Sequence, residues 1–191
     1  MLMFLFTSSH NVDRELTYLQ RPKSAPIDIK ADLNSPGDLE VFRYFAPHVE
    51  RARSLTILGR HHTDLHAACF LLRTPSPTLQ HLEVCTDGST IHLPDDFLSR
   101  QAPSLRSIGF DTVHPAFESR FPLSSLIEFE LSLSEGIGLC HVDALFQFFS
   151  GCPQLRKICF NSPEIARDIT LDQVASLESL VELDYSCDTV G

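Results

Sequence analysis

Residues 102–110 read Ala-Pro-Ser-Leu-Arg-Ser-Ile-Gly-Phe, and the pattern Pro-x-Leu-x-x-(Leu/Ile)-x-(Val/Phe) within them, Pro103-Leu105-Ile108-Phe110, recurs as Pro77-Leu79-Leu82-Val84 and as Pro153-Leu155-Ile158-Phe160. The same apolar spacing returns without the proline at Ala52-Leu55-Ile57, Leu126-Phe129-Leu131 and Leu180-Leu183-Tyr185, and a weaker unit lies at Ile27 and Ile29. Middle anchors at 27, 55, 82, 108, 129, 158 and 183 are separated by 28, 27, 26, 21, 29 and 25 residues. A phrase that returns at a nearly constant interval marks a chain assembled from stacked units, none of which can bury its apolar face alone.

Between these phrases the apolar period changes from that of a strand to that of a helix. Leu39, Phe42 and Phe45 within 38–47, the segment around Leu65 to Leu72, and Val142, Leu145, Phe146 and Phe149 are spaced for helices. The last of these ends at Gly151-Cys152-Pro153, a glycine C-cap followed by proline. Pro94 to Arg100 reads as a short helix with Pro94 in its first turn, and Thr170 as the cap of a last helix carrying Leu171, Val174 and Leu177. The step from Phe110 to Leu131, with Pro115 and Pro122 inside it, predicts an irregular loop or single turn in place of a helix. Strands separated by such crossovers must run parallel. Periods of roughly 20–29 residues with a short L-x-x-L-x-L strand belong to leucine-rich repeats. The expected fold class is therefore α/β: a leucine-rich-repeat solenoid of about seven irregular repeats, with a parallel sheet on the concave face and helices and loops on the convex one.

Two segments follow from this reading. Residues 1–24 form a lead-in with one helix, marked by Val12, Leu16 and Leu19, and 25–191 form the array. No polar capping unit follows the strand around Leu183, so the array is expected to be incomplete at its C-terminus, as in a fragment, a shortened gene product or a chain that continues its stack in a partner.

Composition narrows the function classes. Hydrophobic residues make up 43% of the 191, enough to bury a core. A net charge of -10, from 25 acidic and 15 basic residues, disfavours a nucleic-acid backbone or anionic lipid as partner, both of which need a positive footprint. Cys69, Cys85, Cys140, Cys152, Cys159 and Cys187 are irregularly spaced without a C-x-x-C pair, and read as reduced, mostly packed thiols. The apolar opening Met1 to Phe6 has no basic leader and is too short for a signal core, and no run approaches the roughly 18 apolar residues of a membrane span. A soluble cytoplasmic or nuclear protein is expected.

Chemistry-bearing motifs are sparse. In His61-His62-Thr63-Asp64-Leu65-His66, His62 and His66 would share a helix face at the i, i+4 separation of zinc ligands, but Thr63 stands where H-E-x-x-H needs its glutamate. Cys140-His141-Val142-Asp143 has the residue types of a thiol site, yet sequence neighbours cannot assemble a triad on one helix face. Asp95-Asp96 falls at a helix start, and Glu128 with Glu130 on one strand face; neither pair has an evident acid/base partner. No phosphate loop, dinucleotide turn or nucleophile elbow is present. No catalytic residue, metal ligand or cofactor is assigned.

By two-residue alternation, the positions between the anchors face outward on the concave side. They include His81, Glu83, Asp111, Glu128, Glu130, Lys157, Asn161, Glu182 and Asp184, a polar and mostly acidic column. It reads either as an ordinary solvated face or as a docking surface for a basic or polar segment of another protein.

The phrases Ala102 to Ile108, Cys152-Pro153-Gln154-Leu155-Arg156-Lys157-Ile158, Arg53-Ser54-Leu55-Thr56-Ile57 and Gln20 to Ile29 resemble the repeat region of the F-box leucine-rich-repeat proteins of mushroom-forming fungi, from about Leu16 to Tyr185. The resemblance implies a non-enzymatic interaction module that selects an unknown protein target for a ubiquitin ligase. In that family an N-terminal F-box docks the adaptor of a cullin-RING ligase. No F-box is visible in this chain, since Leu93-Pro94-Asp95-Asp96-Phe97-Leu98 only superficially resembles its opening and runs into a repeat strand. The adaptor would bind only through an F-box outside the chain. The asparagine of regular repeats is replaced by Arg60, Asp87, Val113, Ser134, Pro163 and Asp188, which predicts less uniform turns. The alternatives are a metal-dependent enzyme using His61 to His66, or a non-functional fragment.

Overall fold

From β2 onward every strand of the main sheet is a short apolar–polar alternation, and each pairs with the main-sheet strand that precedes it in the chain. The computed structural model describes residues 2–5, 25–35, 37–87, 89–114, 123–133, 142–161, 174 and 177–185. The elements are β1 (Leu2–Leu5), β2 (Ile27–Leu33), α1 (Asp38–Phe45), a 3-10 helix (Ala46–Arg51), β3 (Ala52–Gly59), α2 (His62–Leu71), β4 (His81–Thr86), β5 (Ile91–His92), a second 3-10 helix (Phe97–Arg100), β6 (Ser107–Asp111), β7 (Val113–His114), β8 (Glu128–Ser132), α3 (Val142–Ser150), β9 (Lys157–Asn161) and β10 (Glu182–Tyr185). The main sheet has the order β1-β2-β3-β4-β6-β8-β9-β10, with every neighbouring pair parallel, and β5 and β7 form a separate parallel pair. The α/β class and the parallel sheet expected from the sequence are both present.

The register stacks like residues on like. Ile29, Leu55, Leu82, Ile108, Phe129, Ile158 and Leu183 form one row across the sheet, and Ala31, Ile57, Val84, Phe110, Leu131, Phe160 and Tyr185 the next. From Ile29 to Ile158 and from Ala31 to Phe160 these side chains are buried, none above 5% exposed. Burying each Leu, Ile or Phe fully contributes about 1.5–3 kcal/mol, so the two rows carry much of the driving force for folding. The first anchor is corrected by two residues: Ile29, not Ile27, lies beside Leu55, because the ladder slips between Ile27 and Asp28 and Ile27 pairs with Ala52.

Ahead of five of the strands the chain makes the same turn. The N–H groups of Leu79, Leu105, Leu126, Leu155 and Leu180 donate to the carbonyls of Ser76, Ala102, Leu123, Cys152 and Leu177, three residues back. Pro77, Pro103 and Pro153 occupy the second position of this turn, where a fixed φ near −65° suits the bend and no N–H is needed. The recurring proline of the sequence phrase is thus a turn residue rather than part of the strand. After the turn leucine the chain bonds to the previous strand: Arg106 and Ser107 N–H to Gln80 O, Ile127 and Glu128 to Arg106 O, Arg156 and Lys157 to Ile127 O, and Val181 and Glu182 to Arg156 O.

The helices lie on one side. Phe42 and Phe45 of α1, Leu65, Ala68 and Cys69 of α2, and Leu145, Phe146 and Phe149 of α3 join the strand anchors in one buried cluster. Phe129 is the hub of its aromatic part, edge-on to Phe149 at 5.0 Å and to Phe110 at 6.3 Å between ring centres. Gly59 lets α2 approach the end of β3, since a Cβ there would lie 3.1 Å from Leu65 Cβ.

Several expectations change in detail. The sheet begins at β1, ahead of residue 25 where the array was placed, while the lead-in helix at Val12, Leu16 and Leu19 lies outside the described residues. The Pro94 to Arg100 helix is a 3-10 turn starting at Phe97, and Leu98 within it has a φ of 52°. The interval after Phe110 contains β7, preceded by Thr112 at a φ of 57°, an uncommon conformation for a β-branched residue, and 115–122 lie outside the description. Helix α3 ends before Gly151 as expected, but not by a left-handed glycine: Gly151 and Cys152 close it with N–H bonds to Phe148 O and Phe149 O, one residue tighter than an α-turn. The Thr170 cap and Leu171 also lie outside the described residues.

Candidate protein-docking face

Because strand order follows chain order without reversal, right-handed crossovers all fall on the same side of the sheet. The other side keeps no described helix over it, unusual for parallel strands, which are ordinarily covered on both faces. Three rows of side chains lie there. The first is Asp28, Ser54, His81, Ser107, Glu128, Lys157 and Glu182; the second Lys30, Thr56, Glu83, Gly109, Glu130, Cys159 and Asp184; the third Asp32, Leu58, Cys85, Asp111, Ser132 and Asn161. The structure therefore brings all nine expected residues to one face, with His81, Glu83, Asp111, Glu128, Glu130, Glu182 and Asp184 exposed and Lys157 and Asn161 half-buried.

The face is acidic, with eight carboxylates against two lysines in the three rows. Two of the cations near it are engaged by acids. Lys157 Nζ lies 2.7 Å from Glu182, whose hydrogen bond and charge raise its pKa. Arg53 clamps Asp28 with a fork at 2.6 and 3.1 Å. In the centre the acids have neutral donors instead: Thr56 Oγ1 donates to Glu83 at 3.1 Å, Asn161 Nδ2 to Glu130 at 3.1 Å, and Thr112 Oγ1 to Asp111 at 3.2 Å. The thiols on the face register this potential. Cys85 is pushed up to about 12 by burial and then by Glu83, Asp111 and Glu130, and Cys159 is raised by burial and then by Glu130 and Asp184. Both stay neutral near pH 7.

At Gly109 the middle row has a gap. Two shallow depressions, of 220 and 170 Å³, meet there and share Glu83, Gly109 and Glu130 as walls and floor. A Cβ on Gly109 would meet nothing nearer than Glu83 Cγ at 3.8 Å, so the space is open rather than enforced by crowding.

Asp28, Lys30 and Asp32 were not among the expected residues, although Ile27-Asp28-Ile29-Lys30-Ala31-Asp32-Leu33 alternates strictly and signals one polar face. Gly109 lies on the face by the same alternation, between Ser107 and Asp111, but its meaning depends on which acids flank it, which only register reveals.

The other motifs resolve locally. His62 and His66 stack at 5.9 Å on α2, His66 packs on Phe70 at 4.7 Å, and the Arg73 guanidinium sits 4.2 Å over the Phe70 ring. Among the described residues no three His, Cys, Asp or Glu side chains are grouped to hold a metal ion. Cys140 and His141 lie outside the described residues. Asp96 pairs with Arg73 at 3.0 Å. The described cysteines are free, Cys69 and Cys152 being buried. No helix among the described residues is long and apolar enough to cross a membrane. The chain matches no family model and no curated protein.

Proposed function

We propose that this chain is a leucine-rich-repeat solenoid that binds another protein through the open face of its sheet, without catalysing a reaction. The observation that carries the reading is that face: a parallel sheet with all described helices on one side and, from β2 to β10, a mostly polar and acidic surface on the other. Of its eight acids only Asp28 and Glu182 are in ion pairs among the described residues, and repeat scaffolds use such extended surfaces for binding. The repeat assignment is supported by the five equivalent turns and by the shared register of the apolar rows. The F-box resemblance gives the setting: target selection in a cytoplasmic or nuclear ubiquitin ligase, with the cullin-RING adaptor held by an F-box outside this chain. The absence of any matching family model leaves that setting on the sequence phrases alone.

Affinity capture from cell extract with the wild-type chain and with Glu130→Lys and Asp184→Lys side by side tests the docking reading. Saturable capture of one protein by the wild type, weakened by both reversals, is expected. Capture unchanged by either reversal removes the open face from consideration.

A further inference from the structure

We infer that the partner presents an arginine, seated over Gly109 with one carboxylate on each side, Glu83 and Glu130. This rests on the docking reading above and names the chemistry of what docks. The sheet face is unpartnered and its charge asks for a cation, since neither Glu83 nor Glu130 is in an ion pair among the described residues. Thr56 and Asn161 fix the two carboxylates without neutralising them. The missing side chain of Gly109 leaves the space between them open, and both depressions of the face converge on it.

Dimensions favour guanidinium over ammonium. Strands β4 and β8 are separated by one strand, hence by about 9.6 Å at about 4.8 Å per step. A guanidinium is planar with donors along its edges and can meet opposed carboxylates at once, whereas an ammonium is a compact point charge on a flexible stem. Asp111, two residues along β6 from Gly109, adds a third acid about 6.6 Å beyond the gap along the strand. The immediate row neighbours of the two glutamates on their far sides are the uncharged Thr56 and Cys159, while Lys30 lies one strand further out and Lys157 is held by Glu182.

The test selects a random dodecapeptide phage library on the full chain. Enriched peptides are then synthesised with arginine, lysine or the neutral isostere citrulline at the enriched position, and titrated calorimetrically against wild type, Gly109→Leu and the double variant Glu83→Gln/Glu130→Gln. Gly109→Leu fills the gap without changing charge, and the double variant changes charge on two exposed side chains without filling it, so a folding defect in one leaves the other informative. An arginine consensus is expected, with affinity falling at least about tenfold for citrulline and for each variant, as loss of a charge-assisted bond implies. Equal affinity for lysine and arginine peptides overturns the guanidinium geometry. Arginine-free peptides that ignore Gly109→Leu but are weakened by Asp184→Lys overturn the inference and leave the docking reading standing. Peptides indifferent to every open-face substitution, or recovery of none above background, overturn both.

Discussion

Leu82 and Glu83 are neighbours in β4, yet one is 4% exposed among the helices and the other stands in solvent beside an empty gap. The same division runs through β3, β6, β8 and β9, so each strand contributes one side chain to a packed interior and the next to a charged surface. On the interior side, position is fixed by neighbours: Phe129 touches rings from an adjacent strand and from a helix. On the open side nothing packs, and side-chain identity is free to follow the partner. Stability and recognition are thus carried by alternate residues of the same segments, and substitutions on the two sides should separate cleanly.

The sharpest separation is expected from Phe129→Ala, which removes the hub of the Phe110, Phe148 and Phe149 cluster and should cost about 3–5 kcal/mol in urea unfolding. A loss under about 1 kcal/mol would mean that the interior is loosely packed. Next comes Cys85, which sits on the open side with a thiol at about 12 instead of 9.0. At pH 8 its alkylation, followed residue by residue by mass spectrometry, should be at least about tenfold slower than in the unfolded chain, because far less of it is thiolate and the higher nucleophilicity of that thiolate offsets only part of the loss. Since the folded value is the raised one, this thiol's contribution to stability is intact below pH 9.0 and declines as pH climbs toward 12. A smaller effect is expected of Thr78→Val, whose hydroxyl lies 2.9 Å from Ala52 O and ties the turn before β4 to the start of β3. Its loss should cost about 1 kcal/mol by thermal unfolding. The least change should come from Glu130→Gln, within about 0.5 kcal/mol, because the side chain is exposed and surrounded by like charge. A larger destabilisation would make Glu130 a structural residue and blur the division between the two sides.

Much of the interior was legible because apolar anchors repeat at nearly constant intervals, and Leu55, Leu82, Ile108, Phe129, Ile158 and Leu183 do occupy one row. The miss at β2 has a simple cause: Ile27, Ile29, Ala31 and Leu33 are four alternating apolar residues, and Pro22 stands five residues before Ile27, the spacing of Pro77 from Leu82, so the phrase favours Ile27 over Ile29. Strand β1 was not visible because Met1 to Phe6 is apolar throughout and has no period. The polar rows followed from alternation alone. Their functional detail did not, since the gap between Glu83 and Glu130 exists only once three strands distant in sequence are set side by side.

One consequence of the strand order concerns how the chain comes to be folded. From β2 onward each strand's upstream neighbour in the sheet starts 21–29 residues earlier, so pairing never waits for a distant segment. A chain emerging from the ribosome can lay each new strand on the last, consolidating in order of synthesis, with little loop-closure entropy to overcome at any step.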